Sequence, residues 1–302
     1  MTDSFRIGRH TVYRIEEWRG GFSPPEALFA EYEGDAFAEQ APGFEPDFLR
    51  DGLIYGYLQS WLIDTGTSRV LVDTGAGNNK SRPGIPIFGD LESDFVGKLA
   101  ETGYGPEDVD VVFCTHLHID HVGWNTQMVE GEWVPTFPNA TYFLPSVDED
   151  AWNPAKGTYA QLAGAAVNAN VFEDSVAPVI EAGLARLVED GAEIAEGMIA
   201  RNAPGHTPGH MVLEVRSGAD IALFTGDILH HPMQIVRPGW NSVYCEDRIQ
   251  AAATRRAILE RAADEGARIV PAHFGAPHSV FVERDGAGFV PFYRANGRGR
   301  AA

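Results

Sequence analysis

The chain has 302 residues, 43 acidic against 23 basic side chains, and a formal net charge of -20. Hydrophobic residues make up 44%, too many for a disordered chain, and two cysteines cannot build a disulfide framework. Such acidity argues against DNA, RNA or an anionic lipid surface as partner, because each is captured by Lys and Arg. The start of the chain lacks a basic segment followed by an apolar one, and no run of 18 apolar residues occurs. A cytoplasmic protein without a membrane segment is expected.

In chain order, a strand is predicted at Thr11–Ile15. A stretch rich in Gly, Pro, Phe and acids follows, from about residue 19 to 52, studded with Phe22, Phe29, Phe37, Phe44 and Phe48. Little periodicity is visible there, so a lid over a pocket, a subunit contact and a packed surface extension all remain open. Strands are expected at Leu53–Ile63 and Arg69–Val72, with the turn Asp64-Thr65-Gly66-Thr67 between them. A helix is expected at Leu91–Thr102, then a buried strand over Val109–Cys114. Another strand, Thr141–Leu144, precedes an Ala-rich region that reads as helical to about Leu187. Strands follow at Met211–Val215 and Ile221–Phe224, a strong helix at Asp247–Ala263, and a strand at Arg268–Val270. Strands in both halves, each with its own helices, predict two packed sheets with helices outside, all in one domain of residues 1–302.

The polar signal is concentrated after the buried strand, in Thr115-His116-Leu117-His118-Ile119-Asp120-His121-Val122-Gly123. Four potential ligands fall within six residues. On an extended chain His116 and His118 point the same way and can reach one ion. Asp120 and His121 follow where the chain leaves the strand. His206 sits in a Gly/Pro-rich turn, and Asp227 and His273 each lie just past an apolar strand. Imidazole with carboxylate suits zinc, and also manganese, iron or cobalt.

This pattern, His116-x-His118-x-Asp120-His121 followed by His206, Asp227 and His273, resembles the metallo-β-lactamase fold superfamily. The resemblance covers roughly Leu53 to His273 and implies a four-layer αββα sandwich with a metal site at one edge of the sheets. It implies that His116, His118 and His206 bind one divalent metal, that Asp120, His121 and His273 bind a second, and that Asp227 bridges them. Asp73, in Val72-Asp73-Thr74-Gly75, matches a family aspartate and either accepts a proton from a ligand imidazole or is a plain turn residue. Two metals, zinc first, would activate a water as hydroxide for ester, lactone, amide, thioester or phosphotriester hydrolysis.

Within the superfamily the chain looks most like the lactonase and methyl parathion hydrolase branch. The interval from His121 to His206 is long, and His230 stands three residues after Asp227, where homoserine lactone lactonases commonly carry tyrosine. The resemblance thus implies a hydrolase of a small ester or lactone with side activity on phosphotriesters, and a homodimer. A mononuclear iron persulfide dioxygenase and a thioesterase of the glyoxalase II type are the alternatives. Asp120 and His230 are the candidate catalytic residues. Phe22, Trp124 and Tyr244 are candidates for the substrate pocket, and Cys114 for the core. His10 and His278 are expected at the surface or in packing.

Overall fold

The computed structural model describes residues 3–156, 158–286 and 288–293. Two sheets lie face to face. The larger runs, in spatial order, Ser4–Ile7, His10–Ser23, Leu53–Asp64, Arg69–Val72, Val111–Phe113, Thr141–Pro145 and Ala185–Val188, with Leu49–Arg50 also paired to Leu53–Asp64. The smaller runs Glu193–Ala195, Met198–Asn202, Met211–Ser217, Asp220–Gly226 and Arg268–Pro271.

Side chains alternate across a strand, so the central strands explain the layering. Val70 and Val72 join Trp61, Phe113, Leu213, Phe224 and Val270 in the core between the sheets. Leu71, between those two valines, points the other way and packs with Val112, Leu144, Phe95 and Trp152. A strand that is apolar on both faces needs cover on both. The short helices Phe95–Ala100, Ser146–Trp152 and Ala177–Glu181 supply it on this side. On the smaller sheet the helix Arg248–Glu265 lays Leu259 and Ala262 against Leu223 and Ile269. That helix is capped at its start by the Asp247 side chain, which accepts from Gln250 N–H at 2.9 Å. The result is the αββα order.

The N-terminal stretch is more regular than its composition suggests. Its first part continues the long strand His10–Ser23, and the helices Pro25–Leu28 and Gly34–Gln40 follow. Phe29, Phe37, Phe44 and Phe48 are buried on their own chain beside Trp240 and Phe274. These four rings therefore pack within the chain's own core. The Ala-rich region departs further from expectation. Beyond the helix Ser146–Trp152 the described chain is mostly turns until Phe172–Val176 and Ala177–Glu181, and Ala185–Val188 is an edge strand. The predicted helix at Leu91–Thr102 shortens to Phe95–Ala100. His10, expected in packing or at the surface, is buried.

Strand direction positions the site. Arg69–Val72, Val111–Phe113 and Thr141–Pro145 are mutually parallel in sequence of pairing, as are Asp220–Gly226 and Arg268–Pro271. Parallel neighbours release their C-terminal ends at one edge of a sheet. Asp73, the His116–His121 loop, Asp227 and His273 all leave such ends.

Candidate metal centre

Gly123 makes the first loop possible. The turn Thr74–Gly77 and the segment after His121 run so close that a Cβ on Gly123 would lie 1.9 Å from the Ala76 carbonyl carbon. Backbone bonds tie the two, Thr74 N to His121 O at 2.7 Å and Gly123 N to Gly75 O at 2.7 Å. Asp73 enters this turn with φ of 55°, which Asp tolerates. The two ligand-bearing loops are joined by a residue the motif does not contain. Asp148, fully buried on helix Ser146–Trp152, accepts from Leu117 N–H at 3.1 Å, Gly209 N–H at 2.6 Å and the Thr207 hydroxyl at 2.8 Å. Burial pushes its carboxyl up to about 6.

Seven side chains converge. His118 Nδ1 and His206 Nε2 are 3.0 Å apart, and Asp227 Oδ2 is 3.3 Å from His206 Nε2 and 3.9 Å from His116 Nε2. On the other side Asp227 Oδ1 lies 3.2 Å from His121 Nε2 and 2.9 Å from His273 Nε2. Asp120 reaches both of these nitrogens at 3.6 Å. Four ligands around a metal with bonds of about 2.0–2.1 Å are separated by roughly 3.3 Å, so the spacings suit two tetrahedral sites sharing Asp227. His116 Nε2 and His121 Nε2 are buried and form no hydrogen bond among the described residues. Lone pairs left bare in this way fit metal ligation.

The outer hydrogen bonds set which nitrogen is free. His121 Nδ1 donates to Asp73 Oδ2 at 2.9 Å, which leaves Nε2 as the donor of a lone pair. The Thr115 hydroxyl gives its proton to Asp73 Oδ2 at 2.9 Å, so it accepts from His116 Nδ1 at 3.0 Å. His273 Nδ1 donates to the Tyr57 carbonyl at 2.8 Å, and His206 Nδ1 faces Cys245 Sγ at 3.6 Å. Burial, reinforced by neighbouring imidazoles, keeps His116 and His118 well below the usual histidine range, hence neutral. Burial opposes ionisation of Asp227, but His273, His121 and His230 hold its carboxyl well below the ordinary value. Burial opposes charge on His121, His206 and His273 too, but Asp227 raises all three above the usual histidine range, so this carboxylate favours positive charge, a proton or a cation, beside it.

A family model of the metallo-beta-lactamase superfamily matches residues 56–273, well over half of the chain. The chain belongs to this superfamily. An N-acyl homoserine lactonase of Bacillus sp. is 26% identical over 168 residues, 52% of this chain and 57% of that relative. A probable metallo-hydrolase of Methanocaldococcus jannaschii is 39% identical over 54 residues, 18% of this chain and 22% of that protein. The chain spans little more than half the length of the lactonases it matches. In fold it is similar to a hydrolase of the beta lactamase superfamily, AbOPH, with a TM-score of 0.82 at 24% identity, covering 98% of each chain. AidC, a dizinc quorum-quenching lactonase solved with a product, gives 0.81 at 20% identity over 98% of each chain.

In this superfamily member a cavity opens beside His118, Asp120, His206 and Asp227. Phe22, Tyr244, Trp18, Phe88, Ile54 and Leu58 give it an apolar wall. His230 also lines it, with Nε2 3.2 Å from Asp227 Oδ2, and burial pushes its pKa down to about 4. Trp124 does not line it, which corrects the sequence expectation. Its ring stacks on Phe95 at 5.3 Å, and its indole N–H donates to Glu17 at 2.7 Å. Glu17 also accepts from Ala76 N–H and Gly77 N–H, so the tryptophan completes a buried carboxylate's shell. Sequence reasoning missed Glu17, Asp148 and also His210. His210 Nε2 accepts the Asp227 N–H at 3.2 Å and packs against His116 with centroids 4.8 Å apart. Only its place in the Gly/Pro-rich turn with His206 hinted at it.

Proposed function

We propose that the protein is a dinuclear metal-dependent hydrolase of small lactones or esters, with accompanying activity on phosphotriesters. The observation that carries this reading is Asp227, which turns one oxygen to the His116–His206 side and the other to the His121–His273 side. Residues His116, His118 and His206 would hold one divalent cation and Asp120, His121 and His273 the other, with zinc the first candidate. When bound, two such cations supply Lewis acidity that lowers the pKa of water toward neutrality and polarises a carbonyl or phosphoryl oxygen.

The chain's own residues do the rest. Asp73, Thr115 and the Tyr57 carbonyl hold the Nδ1 protons of His121, His116 and His273, so that each Nε2 keeps its lone pair. The Asp120 carboxylate, on the cavity wall, takes the proton from the attacking water and passes it to the leaving oxygen. His230, kept neutral by burial, directs Nε2–H at Asp227 Oδ2 and lines the cavity, so this N–H is the donor that would turn to the oxygen that gains charge. The apolar wall suits an acyl or aryl group of low charge. The lactonase names of the curated relatives favour a lactone.

Among the described residues no helix is long and apolar enough to cross a membrane. The two free, buried thiols, Cys114 and Cys245, suit a reducing compartment, and we place the protein in the cytoplasm. A homodimer rests on the family resemblance alone and is tested by light scattering. Purified protein should carry two ions per chain and open lactones or cleave aryl esters. Asp227→Ala should abolish turnover and lower metal content together. One tightly bound iron with oxygen consumption on glutathione persulfide would replace this reading with the dioxygenase.

A further inference from the structure

One wall of the cavity is an irregular stretch of chain. Gly164, Val167 and Asn168 line it beside His118, Ile119 and Asp120. They belong to residues 158–170, which contain a single helical turn at Tyr159–Gln161 and no strand. Much of this stretch is solvent-exposed, and its apolar contacts with the core come from the partly buried Tyr159 and Leu162 at its start. Polar side chains hold the rest. Asn168 Oδ1 accepts from Ile119 N–H at 2.9 Å, and Asn170 Nδ2 donates to the Ser81 carbonyl at 3.3 Å. Both anchors sit in the stretch itself.

The anchor from outside is Glu246. Its Oε2 accepts from Ala163 N–H at 2.8 Å and its Oε1 from Gly164 N–H at 2.6 Å, across more than 80 residues of chain. Two consecutive N–H groups on one carboxylate make a directional, charge-assisted clamp. Gly164 is confined as well, since a Cβ there would lie 2.8 Å from Glu246 Oε1 and 3.1 Å from the Trp152 ring. Glu246 is itself fixed to the metal side, because its N–H donates to the His206 carbonyl at 3.0 Å. Three successive residues therefore serve three parts of the site. Tyr244 lines the cavity, Cys245 faces His206, and Glu246 grips the wall.

We propose that Glu246 is a specificity-determining positioning residue, which holds the 158–170 wall against the metal side and so sets how well the cavity grips the apolar part of a substrate. This inference rests on the hydrolase reading above. It adds that a side chain from outside the stretch, beside the anchors Asn168 and Asn170 within it, grips the wall, so recognition of the substrate's tail can be loosened apart from the metal centre.

The test uses full-length, metal-loaded parent enzyme and the variants Glu246→Ala, Glu246→Asp and Glu246→Gln. Amide hydrogen exchange of residues 160–168 should speed up about tenfold in Glu246→Ala, as expected when two charge-assisted bonds are lost. Glu246→Asp and Glu246→Gln, which keep acceptor oxygens, should restore part of the protection. With aryl esters of increasing chain length, Glu246→Ala should lose kcat/KM mainly through KM. The loss should be several-fold larger for phenyl octanoate than for phenyl acetate. Unchanged exchange would overturn the grip, and faster exchange with an unaltered chain-length profile would overturn the specificity role. Loss of metal in Glu246→Ala would also overturn it, because the residue would then act through His206. Absence of turnover in the parent, with faster exchange in the variant, would sink the hydrolase reading and leave the grip on the wall standing.

Discussion

Replacing Asp73 by Asn separates two roles that the sequence leaves open. As a turn residue, Asn fits the φ of 55° as well as Asp does, so the backbone gives no reason for damage. As an acceptor it fails. Its carbonyl oxygen would take the Thr115 N–H, now bonded at 2.7 Å, and its amide NH2 would then face the Thr115 hydroxyl and His121 Nδ1. Two N–H groups cannot bond each other, so His121 must move its proton to Nε2, the atom that faces Asp120 and Asp227. A hydrogen bond to a charged group contributes about 1.5–3 kcal/mol, which at about 1.4 kcal/mol per decade is roughly 10- to 150-fold in metal affinity. The usual loss on removing the outer partner of a ligating histidine, about 10–100-fold, agrees. The loss should fall first on the ion held by Asp120, His121 and His273, whose ligand loses its partner directly, and more weakly on the other, because the Thr115 hydroxyl that supports His116 loses its acceptor too. Titration of metal-free protein with zinc against a chelating dye reads this directly, as one strongly and one less strongly weakened affinity. Thermal unfolding of the metal-free variant checks that the fold survives. Parent-like affinity for both ions would show that Asp73 is only a turn residue.

Three further perturbations bear on separate parts of the argument. His230→Gln should keep two ions per chain while kcat falls by about 10²-fold or more, as for loss of a positioned proton-bearing group; loss of an ion, read by metal analysis, would instead make His230 a ligand. Trp124→Phe keeps the stacking on Phe95 but strips an N–H from buried Glu17, and should lower unfolding stability by about 1–3 kcal/mol with unchanged KM. A raised KM would return Trp124 to the pocket. Glu214, on the strand Met211–Ser217, is held by Arg201, Arg216 and Arg261. Burial opposes its ionisation, but these arginines push its carboxyl down to about 2. A carboxylate depressed in the folded state contributes stability above its unfolded pKa and loses it as pH falls through the folded one. Urea unfolding should therefore show Glu214→Gln weaker by about 1–2 kcal/mol at pH 7, after screening of the part-exposed arginines. The difference should shrink below pH 4 and vanish near pH 2, and a pH-independent difference would refute the ion-pair account.

What could be read in the sequence divides along a physical line. Residues on alternating strands and at strand ends were legible, because the chain's own periodicity says which way Val70, Leu71 and Val72 point and where Asp73, Asp227 and His273 emerge. Apart from His210, the groups that were not legible are carboxylates whose partners lie elsewhere in the chain. Asp148 meets Leu117 and Gly209, Glu17 meets Trp124, and Glu246 meets Ala163 and Gly164. Nothing local marks an acid that will be spent on distant backbone N–H groups, so all three read as surface charge in an acidic protein. The same limit explains the Ala-rich stretch. Helix propensity there was overruled because Glu246 and Asn168 offer its N–H and side-chain groups other partners, and because Gly164 must pass close to Trp152. For the phenylalanines the sequence shows that rings must be covered but not by what. Phe44 and Phe48 meet His231 of the same chain, with centroids 4.5 Å and 5.9 Å away. The large net charge accordingly overstates how acidic the surface is. Asp73, Asp120, Asp148, Asp227 and Glu17 are all drawn into or around one site, where each oxygen is oriented by a named donor or turned toward a place for a cation.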